Sequence, residues 1–173
     1  ESPDDEPCDP TLYRSAVGSL LYISLATRPD ISVAVNNVSR YSTKPFQQHW
    51  SAVKRIFRYL VGTQSVGLVF KRTKEIVPQL TGYADANWGG DTATRRSTTG
   101  YVMFLAGGPI SWKTKLQPTV ALSSTEAEYM AVTEATKEVL WLRSLLQELG
   151  VEQKATTLFE DNQGCIALAH AEG

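Results

Sequence analysis

Apolar residues recur at helical spacing through the first third of the chain and give way to short alternating runs after it. From Asp9-Pro10 the sequence turns helical: Asp9 can cap, Pro10 suits a first turn, and Val17, Leu20, Leu21 and Ser24 follow on one face. Arg28-Pro29-Asp30 interrupts. Ile31, Val35 and Val38 resume the three- and four-residue spacing in a segment reaching Tyr41, and Lys44-Pro45 breaks it. From Phe46 to Val61, Trp50, Val53, Phe57 and Leu60 share a face, Lys54, Arg55 and Arg58 lie off it, and Gly62 is the stop.

Past Gly62 the runs are short and β-rich: Gly67 to Phe70, Leu80 to Trp88, Thr98 to Ala106 and Pro109 to Lys115, with Gly107-Gly108 joining the last two as a hairpin. A long helix is predicted from near Ser123 to Leu149, ended by Gly150. Thr156 to Glu160 reads as a short buried strand and Asn162 to about Ala169 as the start of another helix. A strand that returns after so long a crossover should lie parallel in the same sheet. The expected fold class is α/β: a mixed sheet, antiparallel strands then a parallel one, with flanking helices and a helical subdomain before it. Residues 1–10, acidic and Pro-containing, read as a linker, 11–65 as the helical segment and 66–173 as the sheet domain.

Composition narrows the class. With 173 residues, 42% of them hydrophobic and 20% charged, the chain can bury a sizeable core, and disordered or collagen-like classes are excluded. Lys plus Arg number 17 against 18 Asp plus Glu, so any nucleic-acid contact must use local patches. Cys8 and Cys165 form neither a disulfide framework nor a zinc module, and no apolar run approaches a bilayer span. A cytosolic or nuclear protein is expected, without a membrane partner.

Three carboxylates stand out. Asp85 sits in mid-strand within GYADANW, a poor place for a charge on stability grounds alone, although an ion pair with Arg95 or Arg96 would also explain it. Glu126 completes a capping box with Ser123, whereas Glu128 is in phase with Ala131, Val132, Ala135, Val139, Leu142 and Leu146 on the stripe facing the sheet. There it is costly unless paired or metal-bound; the alternative is a solvated first-turn acid favoured by the helix dipole. Asp161 ends the strand TTLFE, where parallel sheets meet ligands, and suits equally the N-cap of the helix that follows. Glu160 is expected on the opposite sheet face from Asp161.

GYADANWGGD, RRSTTGYVMFLAGGPISWKTKLQPTVALSSTEAEYMAV and TLFEDNQGCIAL closely resemble the ribonuclease H region of copia-type retrotransposon polyproteins. YRSAVGSLLYISLATRPDISVAVNNVSRY and HWSAVKRIFRYLVGT resemble the thumb or connection segment joining that region to the reverse transcriptase. The resemblance covers about residues 11–170. It implies an RNase H-like fold for 66–173, cut short at its C-terminus, and hydrolysis of the RNA strand of RNA/DNA hybrids during reverse transcription. Asp85, Glu128 and Asp161 match three of the family's four metal-binding carboxylates; they imply two Mg²⁺ ions, with Mn²⁺ as the alternative. The fourth Asp lies beyond a His-containing stretch that this sequence does not reach, so His170 takes no role. The implied partners are the hybrid and the polymerase palm upstream in the same polyprotein, with virus-like particles as a further location.

Candidate phosphate contacts are Arg95, Arg96, Ser97 and Thr98, then Lys113 and Lys115, with Lys54, Arg55 and Arg58 on the third helix. Asn162 and Asn87 adjoin the carboxylates and suit either a phosphate or a turn cap. Trp88, Trp112, Tyr83 and Tyr101 are read as core, His49 as helix packing and Cys165 as core. No Ser-His-Asp set and no phosphate-cradling glycine loop occurs. Two functional classes stay open: a metal-dependent endonuclease, and an inactive RNase H-like remnant that binds nucleic acid or protein.

Overall fold

The computed structural model describes residues 6–72 and 77–171. Contacts divide the chain into two units, Glu1–Leu68 and Val69–Gly173.

The first unit is helical. Helix α1, Pro10–Ala26, starts where Asp9 Oδ1 accepts from the amides of Thr11 (2.8 Å) and Leu12 (3.4 Å). A 3₁₀ turn, Pro29–Ile31, leads into α2, Ser32–Ser39, and α3 follows at Gln47–Gly62. Tyr13, Val17, Leu20, Ile31, Val35, Val38, Val53 and Ile56 close one apolar core. Ile56 replaces the expected Phe57 as the buried partner of Val53; Phe57, Trp50 and Leu60 pack against the cluster half-buried. The polar start is tied down in a way its composition did not signal: Cys8 is buried, Cys8 N donates to Pro45 O and Gln47 N to Glu6 O. His49 stacks on Tyr41 and its Nδ1 accepts from Phe46 N, consistent with packing.

Tyr13 Oη donates to Val38 O at 2.7 Å inside this core. Tyr13→Phe is expected to lower the unfolding free energy by only about 1 kcal/mol, because the carbonyl keeps the amide of Tyr41 as a donor. The shift of the urea midpoint checks it.

The second unit holds β1, Thr81–Asn87; β2, Thr98–Leu105; β3, Gly108–Leu116; α4, Ser124–Glu148; β4, Thr157–Phe159; and α5, Gln163–Ala171. The sheet order is β3-β2-β1-β4, with β1–β2 and β2–β3 antiparallel and β1–β4 parallel. The hairpin turns one residue earlier than expected: Ala106 (φ 52°) and Gly107 (φ 72°) are both left-handed, and Gly108 already pairs with Leu105. Gly67–Phe70 forms no strand. Lys71 N donates to Ala106 O, but Val69 and Phe70 stay exposed, so the run has no buried face to fix it.

Alternation turns Gly82, Ala84 and Ala86 of β1 inward. Ala84 packs with Tyr101 and Met103 against Ala135, Val139, Leu142 and Leu146 of α4, and Ala86 with Ala127 and Ala131 nearer the start of that helix. The other face carries Tyr83 stacked on Phe159 at 4.8 Å and edge-on to Phe104. Tyr83 and Trp88 are thus half-exposed rather than core, while Tyr101 is buried. A Cβ at Gly82 would lie 2.5 Å from Met103 Sδ and 2.9 Å from Leu158 Cδ1. Gly82→Ala is therefore expected to destabilise by about 1–3 kcal/mol through overpacking, read as a lowered melting temperature.

Candidate metal centre

The β1–β4 ladder ends at Tyr83, so the edge of β1 beyond it, including Asp85, has no strand beside it. Into this opening at the carboxyl ends of two parallel strands come three acids. Asp85 extends from β1, Glu128 from the second turn of α4, and Asp161 from the segment that leaves β4. One carboxylate oxygen from each lies within 4.8 Å of the others. Asp85 and Asp161 are exposed at the mouth, whereas Glu128 is 7% exposed.

Glu128 carries the electrostatic strain of the cluster. Burial first, then the charges of Glu160, Asp85 and Asp161, push its carboxyl up to about 7, against the opposing donation of the Ala86 amide. Its Oε2 is buried with no hydrogen-bond partner. A buried carboxylate with one oxygen unpartnered, grouped with two more carboxylates, suits a hard divalent cation, which takes oxygen ligands and removes the repulsion.

The helix start departs from the expected capping box in one bond. Ser123 Oγ accepts from Glu126 N at 3.1 Å, but Glu126 Oε2 accepts from Leu122 N at 2.7 Å. Gln117, 3% exposed, joins the first turn of α4 to β2: its Nε2 donates to Ala127 O at 2.9 Å and to Thr99 Oγ1 at 3.0 Å. Thr99 pairs with Ala86, so this side chain links the residue before Glu128 to the cross-strand partner of the residue after Asp85. Sequence reasoning missed Gln117 because a polar residue after a strand resembles loop surface.

Glu160 corrects an expectation. It lies near the cluster rather than across the sheet from it, because β4 ends at Phe159 and strand alternation no longer governs the next residues. Its Oε1 accepts from Asn162 N, its Oε2 is buried without a partner, and burial raises its carboxyl above the usual range. Adjacent carboxylates at a strand end were the available signal.

The remaining candidates separate. Asn162 Oδ1 accepts from Cys165 N (2.9 Å) and from Thr125 Oγ1 (3.3 Å), so Asn162 caps α5 and ties it to α4, leaving Asp161 outside the cap. Ser97 is fully buried and its Oγ accepts from Gly89 N, which removes it from any phosphate. Arg95, left-handed at φ 57°, is exposed, and Arg96 Nε donates to Thr94 Oγ1. Lys113 and Lys115 are exposed on β3. Cys165 is buried. A cavity of about 550 Å³ lies between α2 and α3, but its acid, Asp30, is committed to Arg28 and Tyr59.

Comparison with known proteins decides the family. Over 157 residues, 91% of the chain, it is 51% identical to the retrovirus-related Pol polyprotein from transposon TNT 1-94 of Nicotiana tabacum. Over 161 residues it is 45% identical to the retrovirus-related Pol polyprotein from transposon RE2 of Arabidopsis thaliana. The chain belongs to the copia-type retrotransposon Pol polyprotein family. It spans 12% of the tobacco Pol polyprotein and 11% of the Arabidopsis one. It is also 52% identical over 130 residues to secreted RxLR effector protein 161 of Plasmopara viticola, of which it covers 90%. No family model and no solved structure matches this Pol segment. Among its described residues no helix is long and apolar enough to cross a membrane.

Proposed function

We propose that the second unit is the ribonuclease H domain of a copia-type polyprotein, with an RNase H-like fold, hydrolysing the RNA strand of RNA/DNA hybrids. The observation that carries this reading is the convergence of Asp85, Glu128 and Asp161, with Glu128 buried and its Oε2 left unpartnered. These three would hold divalent cations, Mg²⁺ or Mn²⁺. Bound there, the cations supply Lewis-acid charge at a phosphodiester and lower the pKa of water. The chain's own residues do the rest. Burial and the Ala86 amide hold Glu128 in place, and Asp85 and Asp161 stay open to the substrate side. Asn162 fixes the segment that carries Asp161. Arg95 and Arg96, in the loop after β1, are proposed phosphate contacts, and the polymerase palm of the same polyprotein a proposed neighbour.

The test is cleavage of a labelled RNA/DNA hybrid by the whole chain with Mg²⁺ or Mn²⁺, beside an all-DNA duplex. Metal-dependent cutting of the RNA strand alone is expected. An intact hybrid after incubation with cooperatively folded protein overturns the reading. One observation favours a second reading, a scaffold that binds nucleic acid or protein without catalysis: the chain covers 90% of a protein named as a secreted effector.

A further inference from the structure

A second charged feature lies on the opposite flank of α4. Lys137 follows Glu128 by nine residues, half a helical circumference away. It lines a groove of about 270 Å³ with Lys113 and Lys115 of β3, Thr99, Gln117 and Glu134. Cross-strand register puts Lys115 in line with Thr99 and Ala86, and Lys113 with Tyr101 and Ala84. Both lysines therefore stand on the inward face of the sheet, at its outer strand. Glu134 is the groove's one carboxylate. It lies 2.7 Å from Lys137 Nζ and 4.0 Å from Lys113 Nζ, and it is held below the usual range by Lys137 first and then by Lys113 and Lys115. Three ammonium groups against one carboxylate leave an excess of two positive charges in a chain whose formal net charge is −1.

We infer that this groove seats a backbone phosphate of the nucleic-acid substrate away from the scissile one, gripped by Lys113, Lys115 and Lys137 while Glu134 holds the lysines in place. The inference rests on the proposed function. It adds a second point of contact, so that one nucleic-acid substrate touches both flanks of α4. Lysine reads phosphate as a point charge without base preference, so the contact serves affinity and register rather than sequence. Edge-strand lysines also guard against strand pairing between molecules, and the experiment must separate the two roles.

Binding of a fluorescent RNA/DNA hybrid to the whole chain is measured without divalent metal, so that cleavage does not intervene, across a series of salt concentrations. Lys113→Gln/Lys115→Gln and the triple variant Lys113→Gln/Lys115→Gln/Lys137→Gln are each expected to reduce the slope of log affinity against log salt by about 1, the contribution of one neutralised phosphate. The Lys113→Arg/Lys115→Arg variant should keep the slope, as should Lys154→Gln, an exposed lysine elsewhere in the unit. An unchanged slope in the glutamine variants, with wild-type binding intact, overturns the groove and leaves the lysines as edge guards; the metal-centre reading survives. A wild-type chain that does not bind hybrid overturns both. If the glutamine variants lose binding to poly-glutamate but not to hybrid, the groove is a protein-docking site and the inference falls.

Discussion

Asp85→Asn is expected to abolish metal-dependent cleavage of the RNA strand, by about three orders of magnitude, without unfolding the chain. The size follows from the role: Lewis-acid stabilisation is worth several kcal/mol, and each 1.36 kcal/mol is about a decade in rate. The selectivity follows from the place. Asp85 is exposed, its strand is held to β2 through backbone pairing with Gly100, and Asn matches its shape, so the sheet keeps its register. The variant should melt within about 1 kcal/mol of wild type in unfolding free energy, as surface substitutions do. Cleavage retained at more than a tenth of the wild-type rate would remove Asp85 from the centre, and with it the two-sided arrangement of acids around Glu128.

Glu128→Gln, by contrast, should change stability, making the metal-free chain more stable at neutral and alkaline pH while removing the response to Mg²⁺. The sign comes from linkage. Glu128 has its folded-state pKa raised from about 4.5 to about 7, so between these values the folded chain binds more protons than the unfolded one. Stability associated with this group is present below the unfolded pKa and is lost as pH rises through 7. The full loss is up to about 3 kcal/mol, a large share of a typical domain's stability. Thermal melts of metal-free protein at pH 5 and pH 8 read it: wild type should lose stability over that interval and Glu128→Gln should lose less. Adding Mg²⁺ at pH 8 should raise the wild-type melting temperature and leave the variant unmoved. Equal pH dependence in the two proteins would show that the buried carboxyl is not the group that titrates.

Much of the second unit could be read from sequence because its signals are local. The Asp in mid-strand, the Glu in phase with an apolar helix stripe and the Asp at a strand end each break a rule of burial that the surrounding residues obey. The parallel return of β4 followed from the length of the crossover. What escaped was contact between segments. Glu160 was assigned by alternation along a strand that stops one residue before it. Ser97, beside two arginines, resembled a phosphate ligand, but its hydroxyl is taken up by Gly89 N across the loop. Trp88 was assigned to the core by residue type, yet only its indole N–H is engaged, with Ala121 O, and the ring is half in solvent. Asn162, not Asp161, caps α5, a choice that depends on where the helix begins and that two neighbouring capping residues cannot decide by themselves.

The three-residue β4 also makes the longest-range pairing in the sheet. The β2–β3 hairpin closes over a two-residue turn, whereas β4 reaches β1 only by closing a loop that spans the whole of β2, β3 and α4. Three paired residues make that last contact the weakest in the sheet, and therefore the first to open. Asp161 arrives with it. The carboxylate cluster is thus a property of the fully closed sheet alone, and a cation bound to all three acids would slow the opening of β4 more than that of any other strand. Hydrogen exchange at Thr157–Phe159, compared with and without Mg²⁺, would report that closure directly.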